Sequence, residues 1–356
     1  MTIQVKCGNV AIGGGAPISI QSMTNVDTRD VNAALTQIHQ LVEAGCEIVR
    51  LAVPDMDSAQ AFRQIRDRVN VPLVADIHFD YRLAIAAIES GADKVRINPG
   101  NIGEADRVRQ VVNAAKARHI PIRIGVNSGS LEKDLLEKHG GVTPEGLAES
   151  ALRNIRLVED MDFGDIVVSL KASNVKLNHE AHKLVSARTQ YPLHIGITES
   201  GTVTSGRIKS AIGIGSLLLE GIGDTMRVSL TGDPVQEIYL AKEILNAVGL
   251  RGSGINLVSC PTCGRTKVDL EKIANEVEEK SRRIAVNREE KGLPKLTVAV
   301  MGCAVNGPGE ARSADVGVAC GDGKGVIFKR GQIIKTVSEE EIVEELLKAV
   351  ENYENL

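Results

Sequence analysis

The chain has 356 residues, 43% hydrophobic and 25% charged, a size and composition that suit one large globular domain followed by a smaller one. It has no Trp, four Tyr, four Phe and a formal net charge of -4, so it offers neither the stacking rings nor the basic footprint of a nucleic-acid binder. No apolar run approaches the ~20 residues that span a bilayer. The start, MTIQVKCGNV, lacks the basic-then-apolar order of a signal peptide, so a cytoplasmic protein with reduced thiols is expected.

Over the first 230 residues, short β-branched runs alternate with amphipathic stretches. The runs are ISIQS (18–22), EIVRLAV (47–53), PLVADIH (72–78), DKVRIN (93–98), PIRIGVN (121–127), DIVVSLK (165–171), LHIGITE (193–199) and TMRVSL (225–230). Segments between them, such as AALTQIHQLVEAG and SAQAFRQIRDRV, carry apolar residues at helical spacing. Alternating strands and helices imply parallel pairing, and eight units predict an α/β fold with a closed (β/α)8 TIM barrel over 1–250; an open doubly wound sheet is the rival. The fifth unit is lengthened by SGSLEKDLLEKHGGVTPEG, where a barrel carries a lid or active-site loop. From 251 the pattern changes to a charged helix, DLEKIANEVEEKSRRIAVN, the strand LTVAVMG, and then DVGVAC, GVIFKRG and QIIKTV, the last two forming a hairpin. Ser338 and Glu341 open the closing helix at capping-box spacing. This predicts a small α+β domain over 251–356.

A barrel places its functional groups at the carboxyl ends of its strands. There the sequence puts Arg50, Asp76 with His78, Arg96 with Asn98, Arg123 with Asn127, Lys171, Glu199, and Arg227 with Ser229. Several pairs are two residues apart and so face the same side. Five cations against two acids repel one another unless an anion or structural carboxylates neutralise them. Arginine forks match phosphate oxygens, so the reading is a small substrate carrying more than one phosphate charge. For any single arginine the alternative is an ion-pair layer plugging the barrel. His78 and Glu199 are the candidate proton-transfer groups. Neither a P-loop nor a dinucleotide-binding glycine pattern is present.

The last third carries VSCPTCGRT and MGCAVNGPGEA, which hold Cys260, Cys263, Cys303 and Glu310. A CxxC joined by a third thiol in a glycine-rich bend points to a metal. Cys320, placed near the exposed end of a strand, and Glu310 are both candidates for the fourth ligand. Structural zinc prefers four nitrogen or sulfur ligands. In an iron–sulfur cluster a weak oxygen ligand has a use, because its iron can exchange it for a substrate oxygen. Cys46 reads as a core thiol.

SCPTCGR followed by MGCAVNGPGEA closely resembles the cluster-binding motif of the IspG/GcpE family, the 4-hydroxy-3-methylbut-2-en-1-yl diphosphate synthases. SIQSMTNVDT, ADIHFD, KVRINPGN, RIGVNSGS and MRVSLTGDP extend the likeness over essentially the whole chain, in the shorter bacterial form. The resemblance implies a [4Fe–4S] cluster held by Cys260, Cys263, Cys303 and Glu310. It implies reductive dehydration and ring opening of 2-C-methyl-D-erythritol 2,4-cyclodiphosphate, with two electrons from reduced flavodoxin or ferredoxin, in the non-mevalonate route to isoprenoids. The cyclic diphosphate then accounts for Arg50, Asp76, Arg96, Asn98, Arg123, Asn127, Lys171, Arg227 and Ser229, with Glu199, Glu310 and His78 as catalytic candidates. It also implies a homodimer whose cluster domain caps the partner's barrel. Two rivals remain: a pteroate-synthase-type barrel with a structural zinc module, and an iron–sulfur electron carrier fused to a barrel.

Overall fold

Lys94-Val95-Arg96-Ile97 shows in four residues how the first unit is built. All four are buried, yet Val95 and Ile97 join the apolar layer shared with the helices while Lys94 and Arg96 take the opposite face. The computed structural model describes residues 1–251, 254–303 and 313–355, and the chain divides into two units, Met1–Leu250 and Arg251–Leu356.

The first unit opens with an antiparallel hairpin, β1 (Val5–Cys7) and β2 (Val10–Ile12). Cys7 and Ile12 pack with Ile48 and Val74 and so close one end of the strand ring. Eight parallel strands follow: β3 (Ser19–Met23), β4 (Ile48–Ala52), β5 (Leu73–Asp76), β6 (Lys94–Ile97), β7 (Ile122–Asn127), β8 (Ile166–Lys171), β9 (His194–Ile195) and β10 (Thr225–Met226). The hydrogen-bonded order runs from β8 through β3 to β10 and β9. A Val168–Leu193 bridge joins β8 back to β9, with Val168 N donating to Pro192 O at 2.9 Å. The sheet is therefore the expected (β/α)8 barrel. Helix starts are set by local chemistry: Asp233 and Thr143 each cap a helix that has Pro in its first turn.

Carrying the register around the ring with the tilt of such a barrel stacks the inward side chains in layers of four from alternate strands. The lowest holds Ile48, Lys94, Val167 and Thr225, and the next Gln21, Val74, Arg123 and His194. Above them lie Arg50, Arg96, Ser169 and Arg227, and then Met23, Asp76, Gly125 and Gly196. The large aliphatic side chains sit outside, between sheet and helices. An ordinary barrel fills its interior with Val, Ile and Leu. This one fills it with charge.

Two of the predicted strands are shorter than expected, and the N-terminal hairpin was not anticipated. The run 193–199 pairs only over His194–Ile195, and Glu199 takes a φ of 51°, a left-handed conformation that ends any extended course. β5 stops at Asp76, leaving His78 in the following loop.

The second unit has a five-stranded sheet of β11 (Ile255–Ser259), β12 (Leu296–Met301), β13 (Val316–Gly321), β14 (Lys324–Lys329) and β15 (Gln332–Ser338). β11, β12 and β13 are parallel; β13, β14 and β15 are antiparallel. Helices 270–290 and 342–351 pack against Val298, Val300, Val316 and Val318. The Ser338–Glu341 capping box forms. Cys320 corrects its sequence placement: it is fully buried in β13, packed in the helix-covered core.

Candidate functional site

Asp76 is the single carboxylate among the inward layers of the barrel, and the basic side chains gather on it. Its oxygens lie 3.4 Å from Arg96 Nη1, 3.2 Å from His78 Nε2 and 3.9 Å from Arg50 Nε. Burial pushes this carboxyl up, but Arg50, the His78 hydrogen bond and Arg96 outweigh it and hold Asp76 well below the ordinary carboxylate range. Arg96 also donates to Asn127 Oδ1 at 3.5 Å and meets His78 Nδ1 at 3.4 Å. Its guanidinium lies over Gly125, where a Cβ would come within 2.6 Å of Arg96 Nε. That position in β7 must be glycine for Arg96 to lie there.

A thioether links two further cations. Met23 Sδ accepts from Arg50 Nε at 3.1 Å and Nη2 at 3.0 Å, and stands 3.7 Å from Arg227 Nη1. Arg227 gains partial compensation from Glu237, 3.5 Å away on helix 234–247. Glu237 is itself buried, accepting from Ser22 Oγ at 2.9 Å and Leu230 N at 3.0 Å.

Six basic side chains, Arg50, Lys94, Arg96, Arg123, Lys171 and Arg227, thus share the interior with Asp76 and Glu237. Burial lowers Arg50 to about 10, against the pull of Asp76. Burial, and then Arg50 and Arg96, press Arg123 well below the usual guanidinium range; it is fully buried and finds no hydrogen-bond partner among the described residues. Lys171, half-buried at the end of β8, is lowered by desolvation and then by Arg50, Arg123, Arg227 and Arg96. Such a set stabilises an anion with several oxygens, because each guanidinium already lacks water and needs charge.

The structure therefore brings Arg50, Asp76, His78, Arg96, Arg123, Asn127, Lys171 and Arg227 into one electrostatic unit. Asn98 and Ser229 belong to the rim, but each has a local task. Asn98 Oδ1 caps a short helix by accepting from Gly100 N at 3.1 Å, and the Ser229 carbonyl accepts from Ser200 Oγ. Glu199 is exposed on the loop after β9, outside that contact network. Sequence reading missed Met23, Lys94, Gly125, His194 and Glu237 as members. Lys94 was legible, standing two residues before Arg96 and hence on the same face. Nothing in a pattern of spacings marks Glu237, which comes from a helix.

In the second unit, Cys260 follows β11 and Cys303 follows β12, two adjacent parallel strands with Ser259 opposite Val300. Gly302 N donates to Cys260 Sγ at 3.2 Å, and Cys260 N to Val300 O at 3.3 Å. A Cβ on Gly302 would fall 2.9 Å from Leu270 Cδ2 and 3.0 Å from Thr266 Cγ2, so glycine lets the CxxC loop approach. Cys263 is exposed, and hydrogen bonding from Arg265, first through its backbone, lowers its thiol toward the thiolate form. Among the described residues no three His, Cys, Asp or Glu side chains already stand together as a metal-binding group. The soft donors and the N–H···S bond nonetheless suit an iron–sulfur cluster, whose sulfurs are tuned by such bonds. Glu310 lies outside the described residues. Cys320 is pushed up to about 12 by burial and stays a neutral thiol in the core.

Two family descriptions cover the chain: the GcpE TIM-barrel domain over residues 2–242 and the GcpE protein C-terminal domain over 256–352. The 4-hydroxy-3-methylbut-2-en-1-yl diphosphate synthase (flavodoxin) of Caldanaerobacter subterraneus subsp. tengcongensis is 59% identical over 99% of this chain and 97% of its own. That of Clostridium perfringens is 58% identical over 98% of each chain. Among solved structures, dihydropteroate synthases from Stenotrophomonas maltophilia and Yersinia pestis match 69% and 70% of the chain at TM-score 0.51. They cover 98% and 100% of those chains at 16% and 13% identity, which speaks to the barrel fold alone. Among the described residues no helix is long and apolar enough to cross a membrane.

Proposed function

Because the chain belongs to the GcpE family, we propose that its barrel binds 2-C-methyl-D-erythritol 2,4-cyclodiphosphate and that the chain converts it to 4-hydroxy-3-methylbut-2-enyl diphosphate. The chain is an oxidoreductase of the non-mevalonate isoprenoid route with reduced flavodoxin as its electron donor, a reading supported by the word flavodoxin in the relatives' names; ferredoxin is an alternative donor. The reaction takes in two electrons and two protons and releases one water. The observation that carries the substrate assignment is the interior of six basic side chains with only Asp76 and Glu237 to balance them.

Arg50, Arg96, Arg123, Lys171 and Arg227 hold the two phosphates, with Asn98, Asn127 and Ser229 adding hydrogen bonds. Asp76 keeps Arg50 and Arg96 in place and orients His78 through Nε2. His78 is half exposed beside the anion site and moves a proton at that edge. Glu199 is the acid for the departing hydroxyl, reaching the substrate from its loop.

Cys260, Cys263 and Cys303, with Glu310 as the fourth ligand, are the residues proposed to hold a [4Fe–4S] cluster. When bound, such a cluster supplies single electrons. The chain acts in the cytoplasm as a homodimer, the cluster domain of one subunit serving the barrel of the other.

The test is anaerobic purification with an iron count, expected at about four per chain, and turnover of the cyclic diphosphate with reduced flavodoxin. Cys303→Ser abolishes the cluster and turnover, and Arg227→Ala weakens diphosphate binding while iron is retained. Mixing the two variants, at a substrate concentration too low for Arg227→Ala to turn over alone, restores activity if each site draws on both subunits. An air-protected, iron-free chain that still turns over refutes the cluster, and a mixture that stays dead refutes the shared site.

A further inference from the structure

Below the layer of Arg50 and Arg96 the barrel interior remains polar. Lys94 and Arg123 are fully buried there, as is His194. No hydrogen-bond partner among the described residues serves Lys94 Nζ, the guanidinium nitrogens of Arg123, the ring of His194 or the amide of Gln21. These four residues come from four different strands and two adjacent layers. The Cys7 thiol approaches Lys94 from the closing hairpin and Asp93 attracts it from the preceding residue, but burial raises the thiol, so the ammonium is only partly balanced. Asp76 is engaged with Arg50, Arg96 and His78, and Glu237 with Ser22, Leu230 and Arg227, all higher in the barrel or outside it. Burial lowers Lys94 only to about 8, so it is largely protonated at neutral pH.

Two buried cations with so little counter-charge disfavour the folded state unless an anion joins them. A water molecule placed between them would meet mostly N–H donors and would cancel no charge. The phosphates at the rim also lie too high, since Lys94 stands two residues, about 7 Å, further down β6 than Arg96. Lys94 and Arg123 supply only donors, which suits a single-atom anion, while Gln21 Oε1 and the unprotonated nitrogen of His194 are acceptors in the same two layers. Ile48, Val74 and Val167 share the same layers.

We propose that the lower barrel interior holds a resident monovalent anion of the chloride class, bound between the Lys94 ammonium, the Gln21 amide and the Arg123 guanidinium, beneath the substrate phosphates and sharing Arg123 with them. It completes the charge balance that lets this polar layer fold.

The test uses the full-length chain crystallised with sodium bromide in place of chloride, with and without the cyclic diphosphate, and anomalous density recorded at the bromine edge. A bromide peak within hydrogen-bond reach of Lys94 and Arg123 is expected in both crystals, at millimolar as well as molar bromide. A lower interior without bromide overturns the proposal and leaves the diphosphate reading untouched. So does a peak that the diphosphate displaces, or one seen only at molar salt, which is an adventitious ion only. In solution, replacing gluconate by chloride at constant ionic strength raises the melting temperature of the wild-type chain, and Lys94→Met weakens the apparent chloride affinity at least tenfold. A folded Lys94→Met chain that keeps the full chloride response also overturns it. If that variant does not fold, the crystals decide.

Discussion

Replacing Asp76 with Asn probes the charge balance of the upper barrel directly. The side chain is 5% exposed and faces two guanidinium groups, at 3.4 Å and 3.9 Å. Asparagine keeps the shape and one acceptor oxygen but removes the charge. At an effective dielectric near 20, each cation ~4 Å away loses about 4 kcal/mol of attraction. Rotation of Arg50 and entry of water recover part of this, so the expected loss of unfolding free energy is about 3–5 kcal/mol, as for breaking a buried pair. Urea unfolding of the substrate-free chain at pH 7 measures it by far-UV circular dichroism, since there is no Trp to follow. The pH dependence supplies an internal check. Because the folded carboxyl is held well below the ordinary 3.8, its contribution is complete above that pH and fades as pH falls through the lower folded value. The wild-type and variant curves therefore converge in acid. Inorganic pyrophosphate should stabilise the variant more than the wild type, since it replaces the lost negative charge. A difference below about 1 kcal/mol at neutral pH, or one unchanged in strong acid, would refute the assignment of Asp76 as the balancing charge.

Gly125→Ala places a methyl 2.6 Å from Arg96 Nε and 2.9 Å from Nη2, so the guanidinium must leave Asp76 and Asn127. Pyrophosphate affinity by calorimetry should fall about tenfold for about 1–3 kcal/mol of overpacking strain, and an unchanged affinity means Arg96 does not bind the anion. Lys94 falls from 10.5 to about 8 in the folded chain, so the unfolded state binds more protons between those values. In chloride-free buffer Lys94 should accordingly add up to about 3 kcal/mol of stability to the wild type over that interval, an increment that Lys94→Met lacks; wild-type and variant curves of the same slope contradict the burial of a charged Lys94. Gly302→Ala pushes against Thr266 and Leu270, so iron per chain should drop while circular dichroism shows the sheet intact. Full iron content in that variant would mean the close approach of the CxxC loop is not needed for the cluster.

The barrel was legible because its period-two pattern survives in every strand. In IRIGVN, Ile122, Ile124 and Val126 pack outward while Arg123, Gly125 and Asn127 turn inward, so the candidate site could be read two residues at a time. What failed was reach. The runs ending in Glu199 and Leu230 were taken as strand to their last residue, but pairing stops at Ile195 and Met226. Left-handed Glu199 explains the first stop, and no propensity scale anticipates that conformation for a glutamate. Glu237 was invisible because helix spacing says which face is buried, not which buried carboxylate reaches an arginine on a neighbouring strand. The three-residue strands around Gly8 and Asn9 were too short to register as a pattern, although Gly-Asn between alternating apolar residues is a hairpin signal. Cys320 misled because residue 320 is the fifth of a six-residue strand, and its burial comes from the helices packed above it.

The polar interior also says where the barrel's stability comes from. Its aliphatic bulk lies between sheet and helices, as in Val95, Ile97, Ile122 and Ile124, so the ring can hold its shape around a lumen that contributes little hydrophobic energy. The lumen instead carries a standing electrostatic cost, reduced by Asp76 at the top and by Glu237 at the flank. Adding a second inward carboxylate would lower that cost further, and it would also compete with any phosphate for the same guanidinium groups. Under-compensation is therefore the condition for tight anion binding: the free energy withheld from folding is returned when a multiply charged ligand arrives. Stability and affinity should move in opposite directions in any variant that changes the interior charge, with Asp76→Asn less stable and more anion-hungry, and Arg96→Gln more stable and less so. A variant in which both rise together would show that the arginines are tied down by packing and not by their search for negative charge.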